Sequence, residues 1–254
     1  MVDLIVFSVD NNKYALNIEN VQRIIQAIEI TLIPNIHPYI DGMMSYEDSV
    51  IKILNFRKLI GLPTYNDELI VLFTRLKEAH KEWLNELKLA IENDETFTKT
   101  TDPNICELGK WLNDFNSYDD TVSAVLKDLI DNHKKLHQFG KHALEVYEYD
   151  KDEAKNILDN SVYKIFNSTM GDMDIFIYEL EKVSNSLQKL IFYEHDGFIF
   201  AIKVDKIEDI AHIEENDIMI SESDSSDNEF LELSGILDLN GVLINIIKTI
   251  KLPS

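Results

Sequence analysis

The sequence predicts an α+β protein in which a four-helix bundle interrupts a β architecture built from two similar modules. Two observations predict it. The two ends of the chain repeat one strand-and-turn pattern, and the apolar spacing between them changes from the period of a strand to that of a helix.

The first module opens with "FSVDNNKYALNIENVQRI" (7–24), which aligns with "FYEHDGFIFAIKVDKIEDI" (192–210) near the other end. Ala15 falls on Ala201, Leu16 on Ile202, Ile18 on Val204 and Val21 on Ile207. Between the strands lie Asn11-Asn12 and Asp196-Gly197, residue types that tolerate positive φ and so mark hairpin turns. The second halves correspond as well, "GMMSYEDSVIKILNFRKLIGL" (42–62) to "GILDLNGVLINIIKTIKL" (235–252). Each runs from a glycine through a strand and a turn to a β-branched strand that leads into a short amphipathic helix. Short strands with turn signals at this density point to small barrels or sandwiches.

Between the modules, Leu69, Leu72, Phe73, Leu76, His80, Trp83 and Leu87 advance by three or four, the spacing of one helix face. Val122, Val125, Leu126, Leu129, Ile130, His133, Leu136 and His137 repeat it, and a third run extends from Val162 through Phe166, Met173 and Leu180 to Leu187. A shorter helix is expected around 105–115. Four amphipathic helices with short polar connections bury their stripes most simply as an up-and-down bundle. The expected division is therefore a first β subdomain at 1–65, a helical insert at 66–187 and a second β subdomain at 188–254. The acidic, Ser-rich "SESDSSDNEF" (221–230) reads as a solvated loop.

The chain has 254 residues, 45% of them hydrophobic, with only 8 Gly and 5 Pro, which fits a folded protein. Its 46 acidic and 24 basic side chains give a net charge of −22, which repels nucleic-acid phosphates and anionic headgroups. Nucleic acid and direct membrane insertion are accordingly not expected. The start "MVDLIVFSVD" lacks a basic leader and no apolar run reaches spanning length, so a cytoplasmic protein is expected. The single cysteine agrees with a reducing compartment.

Three histidines stand where apolar residues are expected. His80, His133 and His137 lie in the apolar stripes of their helices, and a buried ring needs a partner. Taken singly, each is more often a hydrogen-bonded core residue. Together they change the balance: His133 and His137 are four apart on one helix face, a common two-ligand spacing, and His80 comes from another inward face. Cys106, alone more often a buried apolar side chain, precedes a helix packed on both. Three imidazoles and one thiolate suit tetrahedral Zn²⁺, with cobalt or nickel able to substitute in vitro. Four protein ligands leave no open position for an activated water. A hydrolase using His80, His133 and His137 would lack a His-Glu-x-x-His helix, and no phosphate loop is present, so an enzyme is not expected.

The blocks "HKEW" (80–83), "CELGKW" (106–111) and "HKKLH" (133–137) resemble the CZB family, the chemoreceptor zinc-binding domain. That resemblance implies zinc ligands at His80, Cys106, His133 and His137, and a role in sensing zinc or oxidants such as hypochlorous acid. The flanking segments "YALNIENVQRI", "ITLIPNIHPYIDGM" and "AIKVDKIEDI" are similar to CheW, a pair of small SH3-like β-barrels that couples chemoreceptors to the histidine kinase CheA. The implied protein is a chemotaxis adaptor whose partners are CheA and receptor signalling tips. An adaptor with purely structural zinc and a non-standard partner is the alternative. Where the family reads Asn-Leu-Arg-Gly this chain has Ser45-Tyr46-Glu47-Asp48, so Glu47 reverses a charge near the family's docking surfaces. Arg57 keeps the family's position, while Asn55 replaces an aspartate; Glu47 and Arg57 are the candidate docking residues.

Overall fold

The computed structural model describes residues 2–115, 120–219 and 228–253, and divides into two compact units. One unit comprises Met1–Asp67 with Ser184–Ser254, the other Glu68–Val183. Most of the acidic stretch at 221–230 lies outside the described residues. No helix among them is long and apolar enough to cross a membrane.

Among the described residues the first unit holds eleven strands in two sheets. In chain order they are β1 (Val2–Val9), β2 (Asn12–Asn17), β3 (Val21–Gln26), β4 (Ile40–Tyr46) and β5 (Ser49–Asn55), followed by the short helix α1 (Phe56–Leu59). After the insert come β6 (Lys189–His195), β7 (Phe198–Val204), β8 (Lys206–Ile213), β9 (Ile218–Met219), β10 (Leu231–Leu239) and β11 (Val242–Ile250). One sheet has the order β8-β1-β2-β11-β10-β9 and the other β3-β6-β7-β5-β4. Each sheet thus takes strands from both ends of the chain.

The internal repeat is exact enough in register to name twin residues. Parallel pairing sets Ala15 beside Ile246 in the first sheet and Ala201 beside Ile53 in the second. Gly42 and Gly235 are twins too: a Cβ on either would stand 2.4 Å from a backbone oxygen, of Thr31 and Met219 respectively. The four two-residue hairpins carry positive φ at Asp10, Glu47, Asp196 and Asn240, as tight turns between right-twisted strands require. The first turn falls on Asp10-Asn11, one residue before the position expected, because Asn12 already pairs with Val9.

Both faces of each sheet are buried, which is why β1, β6 and β7 read as nearly continuous apolar runs rather than clean alternations. Phe7, Leu16, Leu54, Phe200, Ile202 and Ile247 join the two sheets in one shared core. Leu4, Val6, Ala15 and Ile244 pack on the other face of the first sheet, and Met44, Ile53, Phe192 and Ala201 on that of the second. These sheets fit SH3-like modules, although among the described residues neither strand order closes on itself. The segments 1–65 and 188–254 do not each own a sheet, because each sheet takes strands from both.

The insert is helical. Its rods are α2 (Tyr65–Asn93), α3 (Glu107–Asp114), α4 (Asp120–Tyr147) and a nearly continuous run of α5 (Lys151–Ile157), a π-helical turn at Leu158–Val162, α6 (Tyr163–Tyr178) and α7 (Leu180–Leu187). Thr64 and Asp67 cap α2 reciprocally, each side-chain oxygen accepting from the other's backbone N–H at 3.1–3.2 Å. The last run begins at Lys151 rather than near Val162, because Ala154, Leu158, Val162 and Phe166 repeat every four residues. A wide π turn keeps that spacing on one face.

Candidate metal centre

α2, α3 and α4 bring His80, Cys106, His133 and His137 together, with one ligand atom from each within 4.8 Å of every other. His80 is 4% exposed, His133 2% and His137 0%. The His80 ring donates from Nδ1 to the Leu76 carbonyl at 2.8 Å, since a carbonyl only accepts. That hydrogen bond fixes the tautomer and leaves Nε2 free to bind. Cys106 Sγ lies 3.1 Å from His133 Nε2 and accepts from the Gly109 amide at 3.3 Å.

His137 is decisive. Neither of its ring nitrogens has a hydrogen-bond partner, although both are fully buried. An orphaned buried imidazole costs about 1–3 kcal/mol, so a site built this way is incomplete without a cation. The neighbouring Thr100 carbonyl accepts from Trp83 Nε1–H at 2.8 Å and opposes the lowering of the His137 pKa by burial.

The electrostatics prepare the donors differently. Burial first, then the neighbouring His137 and His80, hold His133 at about 2, while burial and His80 hold His137 at about 4. Burial also lowers His80, opposed by the Leu76 carbonyl. All three rings are therefore neutral near pH 7, the form that binds metal. The Cys106 thiol is pushed up by burial and restrained by the Gly109 and Leu108 amides, so it loses its proton to a metal rather than to water. Three neutral imidazoles, one of them with its tautomer fixed, and one soft sulfur fit a tetrahedral Zn²⁺ site.

Two glycines make the geometry possible. A Cβ on Gly109 would stand 1.6 Å from the Pro103 oxygen, so only glycine lets α3 start against the loop that carries Cys106. A Cβ on Gly140 would stand 2.3 Å from Trp83 Cη2, and Trp83 lies with its ring 5.1 Å from that of His137. Sequence reasoning noticed Gly109 but passed over Gly140; its signal was a glycine inside a long helical stripe, three residues after a candidate ligand. Trp111 packs among Phe73, Phe115 and Phe176. The other histidines stay apart: His142 is exposed, His37 meets Tyr39 and Phe230 edge-to-face, and His195 and His212 sit beside Asp196 and Asp3.

Comparison with known proteins bears on both units. Residues 3–81 match the CheW-like domain and residues 80–144 the chemoreceptor zinc-binding domain. The two matched stretches meet at His80. The CheW-like match includes the first five strands and the start of α2, and the zinc-binding match begins at His80 and encloses all four candidate ligands. Chemotaxis protein CheW of Bacillus subtilis (strain 168) is 28% identical over 83 residues, 32% of this chain and 53% of the relative. The aligned part thus spans about half the length of that relative. Among solved structures, scaffolding protein TtCheW from Thermoanaerobacter tengcongensis aligns with 97% of this chain and 88% of its own at 13% identity and a TM-score of 0.45. The regulatory CZB domain of DgcZ aligns over 46% of this chain and 98% of its own at 12% identity and a TM-score of 0.39.

Of the two docking candidates, both within the stretch that matches the CheW-like domain, only Glu47 faces solvent. It sits at the β4–β5 turn 3.8 Å from Arg23, and that guanidinium lies over the Tyr46 ring. Arg57 is 1% exposed and wholly engaged, which corrects its reading as a docking residue. Its Nε donates to both oxygens of Asp205 at 2.8 and 2.9 Å, another nitrogen donates to the Pro63 carbonyl, and the guanidinium lies over Tyr65. A desolvated guanidinium with these partners holds the chain where it leaves the sheet for α2.

Proposed function

We propose that this protein is a cytoplasmic chemotaxis adaptor that couples chemoreceptors to the histidine kinase CheA, with residues 66–187 acting as a zinc-binding regulatory insert between CheW-like segments 1–65 and 188–254. The observation that carries the reading is the clustered His80, Cys106, His133 and His137 quartet inside a chain whose first strands match the CheW-like domain. When bound, zinc supplies a tetrahedral cross-link among α2, α3 and α4. The four donors are all side chains of this chain, which supports a regulatory or structural site over a hydrolytic one.

Cys106 is the redox-active member. It is partly exposed and adjoins a cavity of about 120 Å³ lined also by His80, His137, Lys99 and Thr100, through which a small oxidant has access. Hypochlorous acid transfers its oxygen to the Cys106 thiolate and leaves as chloride, giving a sulfenic acid that is a poor zinc donor. Helices α2 and α7 are the covalent links between the insert and the β strands, so a change in the bundle reaches the adaptor through them. Glu47 is proposed to select the partner through its reversed charge.

The test is capture of CheA and of receptor signalling tips by the full chain, with zinc, after chelation and after hypochlorous acid. Capture that changes with zinc or oxidant supports the reading; no capture in any state ends it. The closed four-donor site also supports a second reading, an adaptor with structural zinc, for which chelation lowers the melting temperature and leaves capture unchanged.

A further inference from the structure

The shared core runs out into solvent at one end of the second sheet. Along β5 and β7 the inward side chains Leu54, Ile202 and Phe200 are buried, but further along the same face Val50 is 66% exposed and Phe198 73%. They line a groove of about 640 Å³ whose other walls are Lys52, His195, Ile199, Lys251 and Leu252. Exposed apolar side chains gathered in one groove mark a contact surface, where scattered ones do not.

The internal repeat supplies a control. The register that pairs Ala201 with Ile53 and Ala15 with Ile246 makes Asn12 the twin of Phe198, Lys13 that of Ile199 and Asn245 that of Lys52. The fold therefore accepts a polar residue at the hairpin end, and stability does not demand an aromatic there. Charge adds the second observation. In a chain of net charge −22, the groove places two lysines beside the apolar floor; Lys52 has no carboxylate within ion-pair distance among the described residues, and Lys251 acts on Glu232 only as the last and weakest of the charges that lower its pKa, behind Lys248. Asp196 is the groove's carboxylate, and it lies 3.3 Å from His195.

We propose that this groove is the docking site of a partner polypeptide segment that carries large apolar side chains flanked by carboxylates. The apolar side chains cover Phe198 and Val50, and the carboxylates meet Lys52 and Lys251. Apolar anchors give the affinity, and the lysines choose the sign of the partner and speed its arrival. The proposal rests on the adaptor reading for the partner's identity, yet its test needs neither kinase nor receptor.

The experiment is fluorescence anisotropy of labelled hexapeptides, two central leucines flanked by aspartates, glutamines or lysines, titrated with the full chain. Aspartate-flanked peptide is expected to bind about tenfold tighter than the glutamine-flanked one, a preference that fades as salt screens it. Phe198→Asn, the residue of the twin position, is expected to lose about tenfold in affinity with an unchanged circular dichroism spectrum. The double variant Lys52→Glu with Lys251→Glu should turn the preference toward lysine flanks. Equal binding of the three peptides, no saturable binding, displacement of every peptide by hexanoate alone, or sedimentation showing a dimer that Phe198→Asn dissolves each overturns the proposal. Peptide binding without capture of CheA or receptor tips would sink the adaptor reading alone, and capture without peptide binding would sink the groove.

Discussion

Cys106 is the one candidate ligand whose protonation a metal would have to change. With its thiol raised by burial and the three rings neutral, zinc binding near pH 7 is expected to release about one proton per site, read by calorimetry in buffers of different ionisation heat. Cys106→Ser should abolish the sulfur-to-metal charge-transfer band of the cobalt-substituted protein while the three imidazoles still bind weakly. Without metal, the same burial makes stability depend on pH. An unfolded histidine takes its proton near 6.5, whereas His137 in the fold waits until about 4 and His133 until about 2. The unfolded chain thus binds more protons between those values, and stability is complete above about 6.5 and lost as pH falls. Urea unfolding of the metal-free chain from pH 7 to 5 should show a loss approaching about 1.4 kcal/mol per pH unit for each such ring; a flat profile would show the rings to be solvated. In the β unit, Arg57→Ala leaves Asp205 with only the hydrogen bonds from the Asp10 amide and Gln188 Nε2 and opens a buried space, and should cost about 1–3 kcal/mol in denaturant unfolding. The ligand spacing was legible because His133 and His137 share a face in any helix. The burial of Arg57 was not, since its carboxylate partner is 148 residues away.

At the scale of helices, glycines decide how closely the ligand-bearing elements approach. Alanine at an exposed helix interior position gains about 1 kcal/mol over glycine, and Gly171 has nothing within 4 Å of where its Cβ would stand. Gly171→Ala should therefore raise the melting temperature. Gly140→Ala carries the same intrinsic gain but drives a methyl group into Trp83, an overpacking cost of about 1–3 kcal/mol, so it should lower the melting temperature and weaken zinc binding through the displaced Trp83 ring. A Gly140→Ala protein as stable as wild type would show that Trp83 moves freely. The long helices were legible from their apolar period, and α5 was not. Its residues alternate charge with few apolar positions, and the spacing of four from Ala154 to Phe166 belongs to a helix only with the π turn at Leu158–Val162 in place. That turn forms because Leu158 and Val162 pack with Trp83, Leu87 and Leu136, contacts a single segment does not reveal.

For the whole molecule, each sheet is completed by strands from the opposite end of the chain. The segments 1–65 and 188–254 are therefore expected to be unfolded when expressed separately and to gain β structure when mixed, as followed by circular dichroism and amide exchange; a folded single segment would contradict the pairing of β2 with β11 and β5 with β7. This arrangement keeps the sheets dependent on both sides of the insert. The sequence by itself determined the repeat, the position of the helices between its halves, and the His133–His137 pair on one helix face, because each of these is written in local spacing: period two, period three to four, and a four-residue step between the two rings. Tertiary structure alone decided that the repeats exchange hairpins, since Ala15 and Ala201 look the same whichever module supplies the neighbouring strand. It also decided that neither ring nitrogen of His137 has a hydrogen-bond partner among the described residues and that Arg57 faces inward. Whether a side chain is desolvated and what meets it depend on residues far away in the chain, and those distances are set only when the sheets and the bundle close.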